Sequence, residues 1–255
     1  MEELKHIDEG FIQELNKIAN NRIEYWDLRC GLLTGTILDF TDQKSKEISS
    51  YSVNESAIRT FLNGGWGFLV LKDLKRKTIK KGFNNAIKLA RLTESMTKNK
   101  FKIKERDPLI TDFKVSSKKK LEDISIEEKI KLVKDHEKTA SEYSSDIKNT
   151  RTLYTDGQSN SLFLNTYGSL IHQEYSTLRI FNLVFAQKNG ILQRAVNSVG
   201  GLGGFEIANT DKARNLSSKT AEEVVHLLDA KSPTGGKFTV IMDPKLTGNS
   251  HAIRA

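Results

Sequence analysis

The chain has 255 residues, 37% of them hydrophobic, and 40 basic against 32 acidic side chains give a formal charge of +8; that is enough for one large domain or two ordinary ones with a real core. No apolar run approaches the ~20 residues a membrane span needs, and the charged start Met1-Glu2-Glu3-Leu4-Lys5 is unlike a signal peptide. Cys30 stands alone, which excludes an intrachain disulfide and fits a reducing, cytoplasmic setting.

Leu4, Ile7, Phe11, Leu15 and Ile18 recur at spacings of three and four, which predicts an amphipathic helix over residues 1–21. Residues 23–29 and 31–40 read as paired strands, although Leu33, Ile37 and Phe40 do not keep a strict period of two. Thr41 to Lys46 is a turn cluster, and residues 47–53 and 56–61 have strand character. Gly64-Gly65 reads as a hairpin turn, with Trp66 to Leu71 as the return strand. Asp73 is placed to cap a helix over 74–97, striped by Ile79, Phe83, Ala86, Ile87, Ala90 and Leu92. Residues 98–124, rich in lysine and serine and holding Pro108, read as a linker. Its densest basic run, Lys118-Lys119-Lys120, lacks interleaved aromatics, so a solvated lysine surface describes it better than a nucleic-acid platform. Ser125 and Glu128 form a capping box for the next helix, faced by Ile126, Ile130, Val133 and Tyr143.

Four strands follow, at about 147–155, 161–165, 169–187 and 191–199, with turns expected at Gly157, at Asn165 and Gly168, and at Asn189-Gly190. The run Gly200-Gly201-Leu202-Gly203-Gly204 is expected to break this meander. A helix starts at Thr210 or Asp211 and ends near Asp229, and Phe238 to Met242 reads as a further strand. The class is α+β, with antiparallel sheets and packed helices in two blocks.

Several segments carry a resemblance. Ala57 to Leu71 followed by Asp73-Leu74 and a helix, Asp107-Pro108 before Ile124 to Ile130, Asn165-Thr166-Tyr167-Gly168, Gly200 to Phe205, and Leu227 to Gly236 come in the order and spacing of the TldD/PmbA peptidases. The tail Leu246-Thr247-Gly248-Asn249-Ser250-His251-Ala252-Ile253-Arg254-Ala255 resembles the entry to that family's catalytic helix, which in the zinc-bearing TldD branch opens His-Glu-x-x-x-His. Only the first histidine, His251, has a counterpart here. The resemblance implies an N-terminal domain over 1–110, a central sheet-and-helix domain over 111–225, and the beginning of an incomplete C-terminal peptidase domain over 226–255. It implies zinc for the full-length family member, an unfolded or modified peptide as substrate, and a homodimer or a heterodimer with a TldE/PmbA-type subunit.

A catalytic zinc takes three protein ligands and keeps one position open. A helical His-x-x-x-His pair supplies two of them from one face, and the glutamate beside the first histidine is the general base. His251 has neither partner, so the expectation is a weak metal ligand, no catalytic residue in this chain and no peptidase activity. The alternative is a non-catalytic peptide-binding or subunit-assembly module. Gly200, Gly201, Gly203 and Gly204 are candidates for lining a peptide groove. The cluster lacks the spacing of a dinucleotide fingerprint or a P-loop, and a tight-turn role is the plainer reading.

Overall fold

The computed structural model describes residues 4–231, 234–237 and 239–242. The first helix, α1 (Glu9–Ala19), is shorter than its apolar pattern predicts, because extended Asp8 caps it and accepts the Phe11 N–H at 2.9 Å. Leu4 and Ile7 are nevertheless buried ahead of it. The next two predicted strands are one, β1 (Tyr25–Thr41), whose even-numbered Trp26, Leu28, Cys30, Leu38 and Phe40 are buried. Period two therefore holds, on the opposite parity from Leu33 and Ile37. A two-residue turn at Asp42-Gln43, both at positive φ (50° and 62°), leads into β2 (Lys44–Leu62). Asn63-Gly64 repeats the device before β3 (Gly65–Leu71).

Helix α2 (Arg76–Met96) begins two residues later than expected: Lys75 holds the N-cap position, and Asp73 accepts the Lys75 N–H at 2.9 Å and the Thr78 hydroxyl at 2.7 Å. The expected linker contains a short exposed strand, β4 (Ile110–Lys114), invisible to a period-two pattern because none of its residues is buried. Ser125 caps α3 (Ile126–Ser141), its hydroxyl accepting the Glu128 N–H at 3.1 Å. Three long strands follow, β5 (Ile147–Asn165), β6 (Leu170–Lys188) and β7 (Ile191–Leu202), then α4 (Asp211–Arg214), capped by Thr210, and α5 (Leu216–Leu228).

Two turn expectations fail for a packing reason. Gly157 lies inside β5 opposite Gly35 of β1. A Cβ on Gly157 would stand 2.9 Å from the Tyr51 hydroxyl, and one on Gly35 2.1 Å from the Asp156 carbonyl oxygen. The pair is small so that the Tyr51 ring can cross the sheet and donate to that carbonyl at 3.2 Å. Gly200 and Gly201 continue β7 rather than ending it, paired with Arg179 and Leu178. Residues 239–242 form no strand, and Phe238 lies outside the described residues.

The strands form one seven-stranded sheet in the order β3-β2-β1-β5-β6-β4, with β7 alongside β6 beyond β4. All pairings are antiparallel except β4 with β6. The β1–β5 ladder, from Asp27↔Asn165 to Thr41↔Arg151, joins strands from the first and second halves of the sequence. Side chains on one parity of every strand meet the helices. Helices α1 and α2 cover Trp26, Leu28, Ile58 and Leu164; α3 covers Leu38, Phe40 and Tyr154; α5 covers Val184, Ala186 and Ala195. The other face carries no helix among the described residues. None of the described helices is long and apolar enough to cross a membrane.

Candidate functional site

The four candidate glycines divide into two pairs. Gly200 and Gly201 are exposed at the end of β7, beside an open cleft of about 630 Å³ lined by Thr155, Thr177, Arg179, Ser198 and Leu202. Gly201 has nothing within 4 Å of a Cβ built on it. Gly203 and Gly204 face inward. Gly203, at φ 143°, donates its N–H to the Ser176 carbonyl at 2.9 Å, and Gly204 donates to the Glu206 carboxylate at 2.9 Å. The same carboxylate accepts the Lys119 N–H, and the Lys119 carbonyl accepts the Phe205 N–H at 2.8 Å. Burial works against ionised Glu206, but the N–H donors of Gly204 and Lys119 outweigh it and hold its pKa below the ordinary value. A Cβ on Gly204 would sit 2.0 Å from the Lys119 carbonyl oxygen. This half of the cluster is a clasp that pins the 117–119 segment onto the turn before α4.

The most concentrated buried polar chemistry lies where α3 crosses the sheet. Lys129 reaches Asp156 of β5 at 2.6 Å, with both side chains almost wholly buried. The other oxygen of Asp156 accepts the Thr36 N–H at 2.9 Å, and the Tyr154 hydroxyl donates to the first at 2.6 Å. Burial, reinforced by Asp156, drives Tyr154 far above the usual phenol range and keeps it a donor. Two turns further on, buried Glu137 accepts the hydroxyls of Thr150 and Thr152 at 2.8 and 2.7 Å and the Gln43 N–H at 3.0 Å. His136 meets the Ser217 hydroxyl of α5 at 2.8 Å, and burial lowers its pKa, opposed weakly by Asp135. Every oxygen of Asp156 and Glu137 has a donor, so these two carboxylates fix α3 on the sheet; beside them Asn182 donates to the Thr152 hydroxyl at 2.9 Å while its own Oδ1 is buried without a donor among the described residues. The apolar reading of α3 missed this layer. The signal was Lys129, His136 and Glu137, polar residues sharing one helix face with the buried Val133 and Ala140.

Two further features bear on chemistry. His172 of β6 holds Asp112 at 3.1 Å and Asn160 at 2.7 Å across a cleft of about 380 Å³ floored by Leu4, Ile7, Leu162 and Leu170. Cys30 is buried under α1 and α2, and burial pushes its thiol up to about 12, the opposite of an activated nucleophile. A catalytic zinc needs three ligands. Among the described residues no three His, Cys, Asp or Glu converge, and His172 with Asp112 is a pair. The described residues therefore do not fit a metal centre, and His251 lies outside them.

The described part of the molecule is thus a helix-backed antiparallel scaffold, its polar chemistry given to holding helix to sheet. Residues 119–230 match the family model described as the PmbA/TldA metallopeptidase central domain. Over 95% of its length the chain is 30% identical to 52% of a protein named "Metalloprotease" from Methanothermobacter thermautotrophicus. A solved structure of a Bacteroides thetaiotaomicron protein described as a modulator of DNA gyrase shares the fold, with a TM-score of 0.75 at 16% identity, over 98% of this chain and 56% of that one. TldE from Thermococcus kodakarensis does so with a TM-score of 0.63 at 11% identity, over 84% and 47%. The chain belongs to the TldD/PmbA family and is a relative of its metalloproteases. It spans about half the length of the curated relatives it matches.

Proposed function

We propose that this chain is the non-catalytic scaffold portion of a TldD/PmbA-type zinc metallopeptidase, one that cleaves unfolded or modified peptides when a catalytic portion is present, and that the 255 residues alone are inactive. The observation that carries this reading is the match of 95% of the chain to about half of a named metalloprotease, in a fold whose buried carboxylates Asp156 and Glu137 are fully engaged by its own donors. In this reading zinc belongs to the catalytic portion, the protein works in the cytoplasm, and Gly200 and Gly201 border the peptide path beside the cleft at the end of β7.

The test is cleavage of an unstructured protein such as casein by the purified chain with added zinc. No cleavage is expected. Turnover abolished by a chelator would overturn the reading. The second reading, a subunit-assembly module of a TldD–TldE-like complex, draws on the likeness to TldE and on the bare sheet face. It predicts a stable 1:1 complex with a TldE/PmbA-type subunit, and a chain that stays monomeric beside such a subunit at micromolar concentration would refute it.

A further inference from the structure

The basic charge is unevenly distributed along the chain. Residues 75–104 hold eleven of the 40 lysines and arginines and one of the 32 acidic residues, Glu94, a net of +10. The whole chain carries +8, so the other 225 residues together net −2. Most of the segment is α2, packed on β2 and β3 at one end of the sheet. Asp8 and Glu14 hold Arg76, Glu14 holds Lys80, and Glu94 holds Lys100. The remaining eight cations are exposed, and none has an acidic partner among the described residues.

Helical spacing gathers charge and apolar surface on one side. Lys77, Lys81, Lys88 and Leu92 line the side of α2 opposite its buried stripe of Ile79, Phe83, Ala86 and Ala90. Leu89, Leu92 and Met96 project near the end of that side, 38%, 60% and 75% exposed. Single exposed apolar residues are ordinary, but these three share the last two turns, with Lys88 and Arg91 beside them. A basic helix side tipped with aliphatic residues suits an anionic lipid surface. Headgroup phosphates take the cations, and the aliphatic tips enter the boundary between headgroups and acyl chains. Nucleic acid would use the cations alone. The exposed side of α2 offers no ring on which a base could stack, since its one aromatic residue, Phe83, is fully buried.

We propose that α2 and the segment after it dock the protein on the surface of an anionic phospholipid bilayer, with Leu89, Leu92 and Met96 in the interface and the unpaired cations among the headgroups. The same surface repels the net acidic remainder of the chain, so the field turns α2 towards the lipid. The helix lies on the bilayer and does not cross it, in keeping with its length and polarity. This role goes beyond the metallopeptidase reading and involves no cleavage.

The experiment sediments the full 255-residue chain with vesicles of phosphatidylcholine mixed with phosphatidylglycerol, and with vesicles of phosphatidylcholine alone. Binding to the mixed vesicles is expected, with little to the neutral ones. It should fall away as salt rises from about 0.1 M to about 1 M, where the screening length shortens from ~10 Å to ~3 Å. Lys81→Glu with Lys88→Glu should weaken it at least about tenfold. Leu92→Ser with Met96→Ser, which leaves the charge unchanged, should weaken it at least about fivefold. The control is Lys212→Glu with Lys219→Glu, exposed on α4 and α5 at the opposite end of the sheet, which should leave binding as it was. All the variants change exposed side chains, and thermal melts check that each is folded. No binding to the mixed vesicles, equal binding to both kinds, or an equal loss in the control would overturn the proposal. So would binding that the serine pair does not move, the mark of a surface for any polyanion, nucleic acid included.

Discussion

The buried pair of Lys129 and Asp156 shows what single residues contribute here. Removing one member leaves the other nearly buried without its counter-charge, at a cost of about 3–5 kcal/mol. Lys129→Met should therefore lower the melting temperature strongly. Lys129→Met with Asp156→Asn should recover much of the loss, since an asparagine keeps an acceptor for the Thr36 N–H without a charge, and a double-mutant cycle by denaturant melts measures the coupling. His136 makes a pH prediction. Its folded pKa lies below the unfolded value, so the unfolded state binds the proton first. Its contribution is fully present above about pH 6.5 and is lost as the pH falls from there towards the folded pKa. His136→Gln should flatten the slope of stability against pH in that window, and an unchanged slope would show that other groups set it. These residues were hard to see in the sequence, because a lysine or glutamate at a helix position reads as solvent-facing until a partner such as Asp156 or Thr152 is placed opposite by a strand far along the chain.

Among the elements, the glycine cluster separates into testable halves. Gly204→Ala forces a Cβ into the Lys119 carbonyl, and displacing that segment should cost about 1–3 kcal/mol. Gly201→Ala meets nothing and should stay within ~0.5 kcal/mol of the parent; equal losses at both positions in chemical unfolding would contradict the clasp. The elements themselves were largely legible. The Ser125 N-cap, the turn at Asn189-Gly190, whose residues both sit at positive φ, and the apolar stripe of α2 from Ile79 to Ala90 all act locally, so a sequence reading finds them; the Glu128 half of the expected capping box does not form, its carboxylate pairing with Lys119 instead, and Leu92 is exposed. Strand continuity was not legible. Gly157 and Gly200 look like breaks in one dimension, but cross-strand contacts require smallness there: the Tyr51 ring over Gly157, and the Leu178 carbonyl 2.6 Å from a Cβ on Gly200. Strand β4 escaped for the converse reason, since its place depends on pairing with residues 170–174 of β6 and on no pattern of its own.

For the whole molecule, the α+β class and the family could be read from the order of short segments along the chain, whereas the continuous sheet and its bare face could not. The sheet joins β1 to β5 across more than a hundred residues of sequence, and such pairings have no local signature. The face emerges only once register puts Leu33, Phe163, Phe181 and Val196 on one side. In the proposed reading the described residues act as a scaffold: a polar layer ties α3 to the helix side of the sheet, and the other side mixes exposed apolar residues with arginines. That account makes metal the sharpest discriminator, since a metallopeptidase centre is what the described residues lack the ligands to build. The direct measurement is the zinc content of the purified 255-residue chain after gel filtration in zinc-supplemented buffer. A ratio far below one zinc per chain is predicted; one tightly held equivalent, retained through the column, would place a catalytic-type site in this chain and contradict the account.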